Sequence, residues 1–334
     1  MPREPDDGLS VVLRTHGAGR LPLLDQALFS IAVQSVRAVQ VIVVVQGHEV
    51  AVADVEGLIA RQPFDPVDPA RPHRVVFVDN PDRRDRRAQL LNQGIDHAQG
   101  RYLAFLDDDD VVYPTGYRRL IDRLSHSEAA IAVGGTVRAD LKRIDGHWIT
   151  CRKFDWVSIG SSQRDLFDRN FLPLHSFVID RTRVTASDLR FDESLARLED
   201  YDFLLRLAAR YRFDLGCIGQ AVCEYRLRAG AGHANPIADA LPPNDPLWAA
   251  ARAHIARLKR DLEPAFHAMP RTADTGQVDW LRALQSARRH SGGWLKLAVR
   301  LVDNVRMHGP RRVLNEARRL ARRPTTPTKK ARES

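Results

Sequence analysis

The first hundred residues alternate between short apolar runs and segments with helical spacing. The apolar runs predict strands at residues 9–13, 39–45, 75–78 and 102–106. The run at 39–45 is β-branched and almost continuously apolar, which predicts a strand buried on both faces of a sheet. Between the runs, apolar residues recur every three or four positions behind Pro22 and ahead of Gly100, which predicts helices. Because strands that alternate with helices form parallel sheets, we predict an α/β fold with a doubly wound, mostly parallel sheet flanked by helices.

The second half of the chain has a less regular pattern. Helices are predicted near 117–124 and 199–211, and strands near 131–135 and 222–227, with a mixed stretch before Leu174. A segment rich in Gly, Ala, Asn and Pro follows. The predicted organisation is a disordered start (1–8), one domain (9–229), a linker or mobile loop (230–246), a helical, basic, amphipathic extension (247–323) and a disordered tail (324–334).

Charge is unevenly placed along the chain. The formal net charge is +9, but residues 288–334 hold 14 Lys and Arg against 3 Asp and Glu, or +11, which leaves −2 for residues 1–287. The basic character therefore belongs to the tail, and the overall charge does not indicate a nucleic-acid-binding domain. The three cysteines form no CxxC pair, which argues against a disulfide framework or a zinc site.

The basic extension has apolar residues at helical spacing, among them Trp294, Leu297, Leu301 and Val305, with arginines between them. Such helices fit an anionic membrane surface, and they fit equally well as helices packed on the preceding domain with the arginines outward. No apolar run reaches the roughly 18 to 20 residues of a spanning helix, and the start has no signal-peptide core. We expect a cytoplasmic protein that could lie peripherally on the inner face of the membrane.

Four aspartates, Asp107–Asp110, directly follow the predicted strand at 102–106. Carboxylates gathered at one place repel one another, and a hard divalent cation such as Mg²⁺ or Mn²⁺ removes that cost while also binding phosphate oxygens. The run therefore predicts a metal and diphosphate site. The alternative is a solvated acidic turn in which Asp110 caps the next helix.

Several motifs occur together in a fixed order between about Leu9 and Arg228. They are the opening strand with Arg14-Thr15-His16, the segment 39–47, Arg87 to Ile95 with Asn92 and Gly94, Gly100 to Asp110 with Pro114, Phe191 to Leu195, Glu199-Asp200, and Tyr225-Arg226. In this arrangement the sequence resembles the family 2 glycosyltransferases. The resemblance implies a GT-A type fold and an inverting transferase that uses a nucleotide-sugar donor.

The resemblance also implies roles for the acidic residues. Asp107 and Asp109 would lie at the metal and at the donor ribose and diphosphate, with Asp109 first for direct metal contact and Asp108 beside them. Asp200, next to Glu199, would be the general base that takes the proton of the acceptor hydroxyl. Without the family resemblance, Glu199 and Asp200 are interpreted as acidic residues in the first turn of a helix, where their charges interact favourably with the helix dipole.

The remaining donor-binding candidates come from the same motifs. They are Arg14, Thr15, His16, Gln46, Arg87, Asn92 and Arg226. Gln46 stands where the family usually has an aspartate that contacts the nucleotide base, so the identity of the base is open. Arg228 stands where a histidine is common, and His233 is the candidate that could replace that histidine as a metal ligand; His175 is a weaker candidate. Arg83, Arg84 and Arg86 are either phosphate contacts or a solvated basic face.

These observations predict a metal-assisted transfer of a sugar to a hydroxyl of a glycan or lipid-linked acceptor, with Mg²⁺ or Mn²⁺ as cofactor. The family resemblance alone implies a place in bacterial surface polysaccharide synthesis. Two alternatives stay open. A sugar nucleotidyltransferase also uses aspartates at strand ends and a metal, but it would release pyrophosphate and would not need Glu199 and Asp200. A catalytically inactive, membrane-associated scaffold of the same fold would lose nothing when Asp200 is replaced.

Overall fold

A computed structural model describes residues 8–65, 71–82, 84–154, 162–228 and 245–268. The strands in this part of the chain are β1 (Leu9–Thr15), β2 (Val39–Gln46), β3 (Arg74–Val78), β4 (Tyr102–Asp107), β5 (Val111–Val112), β6 (Ile131–Ile144), β7 (His147–Phe154), β8 (Phe177–Asp180) and β9 (Phe213–Arg228). The α-helices are α1 (Leu21–Ala32), α2 (Val52–Ala60), α3 (Arg87–His97), α4 (Gly116–Ser125), α5 (Asp165–Asp168), α6 (Glu199–Ala208) and α7 (Pro246–Ala268). None of the helices described is both long and apolar enough to cross a membrane.

All of the strands belong to one sheet with the order β3-β2-β1-β4-β8-β6-β9-β5, and β7 pairs with β6 outside that path. The first four strands of this order run parallel, as predicted. Strand β8 is antiparallel to both β4 and β6, and β9 is parallel to β6. The predicted α/β sheet flanked by helices is confirmed, with antiparallel strands added in its second half.

Burial on both faces explains why the first strands lack a polar alternation. Val41, Val43 and Val45 of β2 belong to one core cluster, and Ile42 and Val44 belong to another. Side chains of successive strand residues point to opposite faces, so an unbroken apolar strand requires a helix layer on each side. Helices α1, α2 and α4 supply buried side chains to the first cluster, and α3 and α6 supply them to the second.

Two strands are much longer than their apolar patterns predict. We predicted strands at 131–135 and 222–227, whereas β6 and β9 extend over Ile131–Ile144 and Phe213–Arg228. Their added lengths carry polar residues on partly exposed faces, so hydrophobic periodicity does not detect them. The β6–β7 hairpin turns at Asp145 and Gly146, which both have positive φ (48° and 83°), as this two-residue hairpin turn requires. The pair Asp-Gly is also a sequence signal for such a turn.

Helix α7 packs against the same unit as the sheet. Ile255 and Phe266 are buried in the core cluster of α3 and α6, and the ring of Phe266 lies 5.3 Å from that of Phe167, measured between centroids. His254 Nε2 lies 2.9 Å from Asp202 Oδ1 of α6. The beginning of the predicted extension is therefore helical and lies on the domain. The predicted linker (230–246, up to residue 244), the rest of the extension and the tail lie outside the described residues, as do residues 1–7.

Candidate active site

The acidic run lies at the carboxyl end of β4, beside the carboxyl end of β1. Asp107 is the last residue of β4 and pairs in register with Arg14 of β1. Asp108, Asp109 and Asp110 are each less than a tenth exposed. Because a buried carboxylate is costly unless it is paired, the arrangement of cations around this run decides what the site can do.

Arg14 links the acidic run to the start of α6. Its Nε donates to Asp107 Oδ1 at 2.9 Å, and its terminal nitrogen donates to Glu199 Oε1 at 3.0 Å. Burial opposes ionisation of Asp107, but the Arg14 guanidinium outweighs it and holds the pKa of that carboxyl below its usual value. Arg87 Nε lies 3.7 Å from the same oxygen of Glu199. The predicted residues Arg14, Arg87, Asp107 and Glu199 are thus brought together.

Arg20 is a site residue that the sequence analysis missed. Its guanidinium binds both carboxylate oxygens of Asp108, with Nε contacts of 2.8 and 2.7 Å, and lies 3.0 Å from Asp109 Oδ2. Arg228 Nε is 3.7 Å from that same Asp109 oxygen. Burial, followed by the charge of Asp110, raises the pKa of Asp109 to about 7. The available signal was position, since Arg20 directly precedes α1 in the loop that follows β1.

Asp110 is held by β9 and by the short helical turn at Leu174–Ser176 that precedes β8. Its Oδ1 accepts from the backbone N–H of Arg226 at 2.7 Å, and its Oδ2 lies 3.0 Å from His175 Nδ1. His175 is buried, and neither ring nitrogen makes a well-aligned hydrogen bond in the described part of the chain. Burial opposes the charge on this ring, yet the Asp110 carboxylate raises the pKa of His175 above its usual value.

Asp107, Asp110 and His175 form a group whose ligand atoms lie within 4.8 Å of one another. Two carboxylates and an imidazole are a suitable ligand set for a divalent ion such as Mn²⁺, and the buried Nε2 of His175 has no hydrogen-bond partner in the described part of the chain. The predicted ligand Asp109 is outside this group and pairs with Arg20, as described above. His233 lies outside the described residues, so its predicted role stays a prediction.

Asp200 occupies the first turn of α6, next to Glu199. Its Oδ1 accepts from the backbone N–H of Tyr201 at 2.8 Å, and its Oδ2 accepts from the amide of Asn170 at 3.2 Å. Burial, with the charge of Glu199 as the second cause, raises the pKa of Asp200 to about 6. Leu198, the residue before the helix, has φ = 60°, a left-handed conformation that costs a non-glycine residue on the order of 1 kcal/mol. Strain of this kind is commonly retained where it fixes a functional group.

The other predicted donor-binding residues are less closely joined to this centre. Thr15 is fully buried and its hydroxyl has no partner in the described part of the chain, whereas His16 is exposed. Gln46, at the end of β2, donates to the backbone carbonyl of Arg84 at 2.7 Å. The amide of Asn92 is fully used by the backbone of Phe191 and by a neighbouring glutamate, which ties α3 to that loop.

The side chain of Arg226 points to α1 rather than to a carboxylate. Its terminal nitrogen donates to Gln26 at 2.7 Å, and its two other side-chain nitrogens are buried without a hydrogen-bond partner in the part described. Arg84 and Arg86 both pair with Asp82 next to them. Arg83 is not among the described residues. The three arginines therefore keep both interpretations that the sequence leaves open.

A second group of possible metal ligands combines one residue of α6, one of α7 and one of the loop before α6. It consists of Asp192, Asp202 and His254. Asp202 is already paired there, since it accepts from Arg206 at 2.8 Å and lies 2.9 Å from His254. These contacts balance the buried charge of Asp202, and the contact with His254 links α6 to α7.

The comparisons with known proteins agree with this architecture. The chain is 27% identical over 164 residues to the uncharacterized glycosyltransferase MJ1057 of Methanocaldococcus jannaschii, covering 46% of this chain and 51% of the relative. It is 31% identical over 167 residues to the succinoglycan biosynthesis protein ExoO of Rhizobium meliloti, covering 45% of this chain and 44% of the relative. The matches therefore span about half the length of these two relatives.

Among solved structures, the fold is similar to residues 1–349 of TarS from S. aureus, whose crystal structure is in complex with UDP-GlcNAc. The TM-score is 0.51 at 13% identity, covering 80% of this chain and 74% of the other, and this likeness concerns the fold alone. The family model described as glycosyl transferase family 2 matches residues 10–180, just over half of the chain. The order of motifs, the sheet and this match together establish that the chain belongs to glycosyltransferase family 2.

Proposed function

We propose that this protein transfers a sugar from a nucleotide-sugar donor to a hydroxyl of a glycan or glycolipid acceptor, with inversion at the anomeric carbon. The observation that carries the proposal is the position of Asp200, a carboxylate with a pKa of about 6, beside Glu199, which shares Arg14 with the acidic run. A base with a pKa near the working pH is deprotonated there yet still accepts a proton effectively. The donor bound by TarS and the role named for ExoO in succinoglycan biosynthesis support this proposal.

In the proposed reaction, the acceptor oxygen forms a bond to the anomeric carbon as the bond from that carbon to the diphosphate oxygen breaks. The proton of the acceptor hydroxyl moves to Asp200, and the electron pair of the broken bond leaves with the nucleoside diphosphate. Arg14 and Arg87 lie where they can orient the diphosphate, and Gln46 lies at the strand end where we expect the base.

Asp107, Asp110 and His175 would hold the divalent cation, and Asp109, which pairs with Arg20 beside them, is a further candidate ligand. When bound, Mg²⁺ or Mn²⁺ supplies charge that offsets the negative charge on the leaving diphosphate. Glu199 acts as a positioning residue in this proposal, because it holds Arg14 at 3.0 Å and Arg87 at 3.7 Å.

The first experiment compares nucleotide binding with turnover. Thermal-shift or calorimetric binding of UDP, GDP, dTDP and CDP, with and without Mn²⁺ or Mg²⁺, identifies the base. Asp200→Asn should then lower kcat by about 10²- to 10⁴-fold, the usual contribution of a general base, while nucleotide binding stays unchanged.

Asp54→Asn is the matched control, because Asp54 is also an acidic residue in the first turn of a helix but is exposed. If Asp200 served only the helix dipole, the two variants would behave alike. An Asp200→Asn enzyme with full turnover would overturn the proposal. Release of pyrophosphate would instead indicate a nucleotidyltransferase, and an absence of nucleotide binding under every metal condition would favour the scaffold.

A further inference from the structure

Four aromatic and arginine side chains lie together on one face of the strands β9, β6 and β7. Arg138 of β6 is paired in register with Tyr225 of β9 on one side and with Phe154 of β7 on the other. Side chains of directly paired residues in neighbouring strands lie on the same face of a sheet. Arg152 also belongs to this face, since its guanidinium carbon lies 4.4 Å from the centre of the Phe154 ring. We call Tyr225, Arg138, Phe154 and Arg152 the aromatic–arginine row.

The row begins at the candidate active site. The Tyr225 ring stacks on that of His175 with 6.0 Å between centroids and 11° between planes, and His175 contacts Asp110. The opposite face of the same strands is occupied by internal contacts. There, Arg226 binds Gln26 of α1, and Lys153 pairs with Glu224. The row therefore leads outward from the acidic centre on one defined face.

The outer end of the row is accessible and positively charged. Phe154 is half-buried and Arg152 is exposed, and the guanidinium carbon of Arg138 lies 4.7 Å from the Phe154 ring centre. Arg138 pairs with Asp140 at 3.1 Å, whereas Arg152 has no carboxylate partner in the part of the chain that the structure describes. Among the residues that the structure describes, the two guanidinium groups and the carboxylate of Asp140, which lies opposite Arg152 in register, leave one net positive charge at this ring.

We infer that the aromatic–arginine row is an acceptor subsite for an acidic saccharide of the uronic acid type, with one carboxylate per sugar. This inference rests on the proposed function. The C–H groups of a sugar ring carry partial positive charge and pack on the electron-rich face of an aromatic ring, which Tyr225 provides. The Phe154 ring is contacted by Arg138 and Arg152 and positions their guanidinium groups. Arg152 supplies a planar donor pair that matches a carboxylate, and the single net charge at Phe154 matches one carboxylate.

The test uses the full chain and measures calorimetric binding of a short oligogalacturonate against a neutral oligosaccharide of equal length. Arg152→Gln and Phe154→Ala should each weaken oligogalacturonate binding by about tenfold, which corresponds to one charge-assisted or stacking contact. Phe154→Tyr keeps the ring and should retain binding. Arg143→Gln is the matched control, because Arg143 lies on the same hairpin, is exposed, and pairs in register with Trp148 on the other face.

Several outcomes would overturn the inference. They are equal binding of the neutral oligosaccharide, unchanged binding in Arg152→Gln and Phe154→Ala, or tighter binding of a phosphodiester-linked glycan than of the oligogalacturonate. Nucleotide binding measured on the same variants should not change. If nucleotides bind and the acidic oligosaccharide does not, the subsite is wrong while the proposed function stands. If the acidic oligosaccharide binds through the row but no nucleotide binds, the proposed function fails, and the row is a saccharide-binding site but not an acceptor subsite.

Discussion

The two halves of the sheet use charge in opposite ways. In the parallel half, buried apolar residues fill the interior of β1, β2 and β4, and charged residues lie at the carboxyl ends of β1 and β4. Strand β3, at the edge of the sheet, is partly exposed. In the outer parts of β6, β7 and β9, charged residues recur along the strands themselves. A strand covered by helices on both faces cannot carry charge along its length, whereas a strand with an accessible face can. Buried apolar packing is therefore concentrated in the first half, together with part of the proposed donor site, and the proposed acceptor subsite lies in the second.

The largest expected difference between the halves is in stability. Leu13→Ala in β1 removes a fully buried side chain and should lower the free energy of unfolding by about 2–5 kcal/mol. Ile149→Ala in β7 shortens a side chain that is 44% exposed and should change it by about 0.5 kcal/mol or less. Urea unfolding of both variants checks this. Equal losses would mean that the hairpin is as firmly packed as the parallel strands.

The next effect concerns the charges at the strand ends. Arg20→Ala leaves the buried carboxylate of Asp108 without its guanidinium and should cost about 3 kcal/mol of unfolding free energy. Adding Asp108→Asn to Arg20→Ala should recover much of that loss, because the unpaired charge is gone. Thermal unfolding of the two single variants and the double variant measures this coupling. Strict additivity of the two substitutions would contradict the pairing seen here.

A pH profile tests the base at the start of α6. Because the pKa of Asp200 is raised to about 6, the carboxylate is protonated below that pH and cannot accept the acceptor's proton. We expect kcat/KM to fall about tenfold per pH unit below pH 6 and to be level just above it. Nucleotide binding at each pH serves as the control. A profile that stays flat down to pH 5 would exclude Asp200 as the base.

The same raised pKa has a consequence for stability, with the opposite sign. A carboxyl group whose pKa is raised by folding disfavours the folded state once pH exceeds the unfolded value near 3.8, and the penalty is complete above about pH 6. The gain in unfolding temperature of Asp200→Asn over the native chain should therefore grow from pH 4 to about pH 6 and stay level above that. A gain that does not change between pH 4 and pH 6 would indicate an effect unrelated to the charge.

The smallest effect is expected at the hairpin turn. Asp145 has φ = 48°, which Asp and Asn adopt more readily than Ala. Asp145→Ala should destabilise the hairpin by about 1 kcal/mol, and Asp145→Asn should be close to neutral. Amide hydrogen exchange of β7 checks this locally, with exchange in β1 as the internal control. Faster exchange in both strands would show that the hairpin unfolds together with the core.

The sequence predicts the parallel half of the fold well for a physical reason. The runs in β1, β2 and β4 are buried on both faces, so their composition alone marks them, and the acidic run follows directly from β4. The lengths of β6 and β9 were not predicted because partly exposed strands alternate polar and apolar residues only weakly. The pair Asp145-Gly146 is a signal for a two-residue hairpin turn, and it indicates the β6–β7 hairpin from the sequence alone.

Most residues that lie together at the candidate site belong to motifs of the sequence, but their pairings could not be predicted. Arg14, Glu199 and Asp107 come from motifs far apart in the chain, and only the register of β1 on β4 and the placement of α6 bring them together. Arg20 belongs to no motif, so only its contact with Asp108 in the structure identifies it as a site residue. The sequence analysis gave His175 a lower rank because a lone histidine is more often structural. Its neighbours Asp107 and Asp110 give it the position of a possible ligand.

The bridge made by Arg14 also limits how this enzyme can change over evolutionary time. One guanidinium serves an aspartate on the donor side and a glutamate next to the proposed base, so substitution at any one of the three positions leaves an unmatched charge in a buried place. We expect relatives to alter Arg14, Asp107 and Glu199 in concert rather than one at a time. Substitutions made at this strand end to change donor preference will therefore also have to preserve the contact between Arg14 and Glu199.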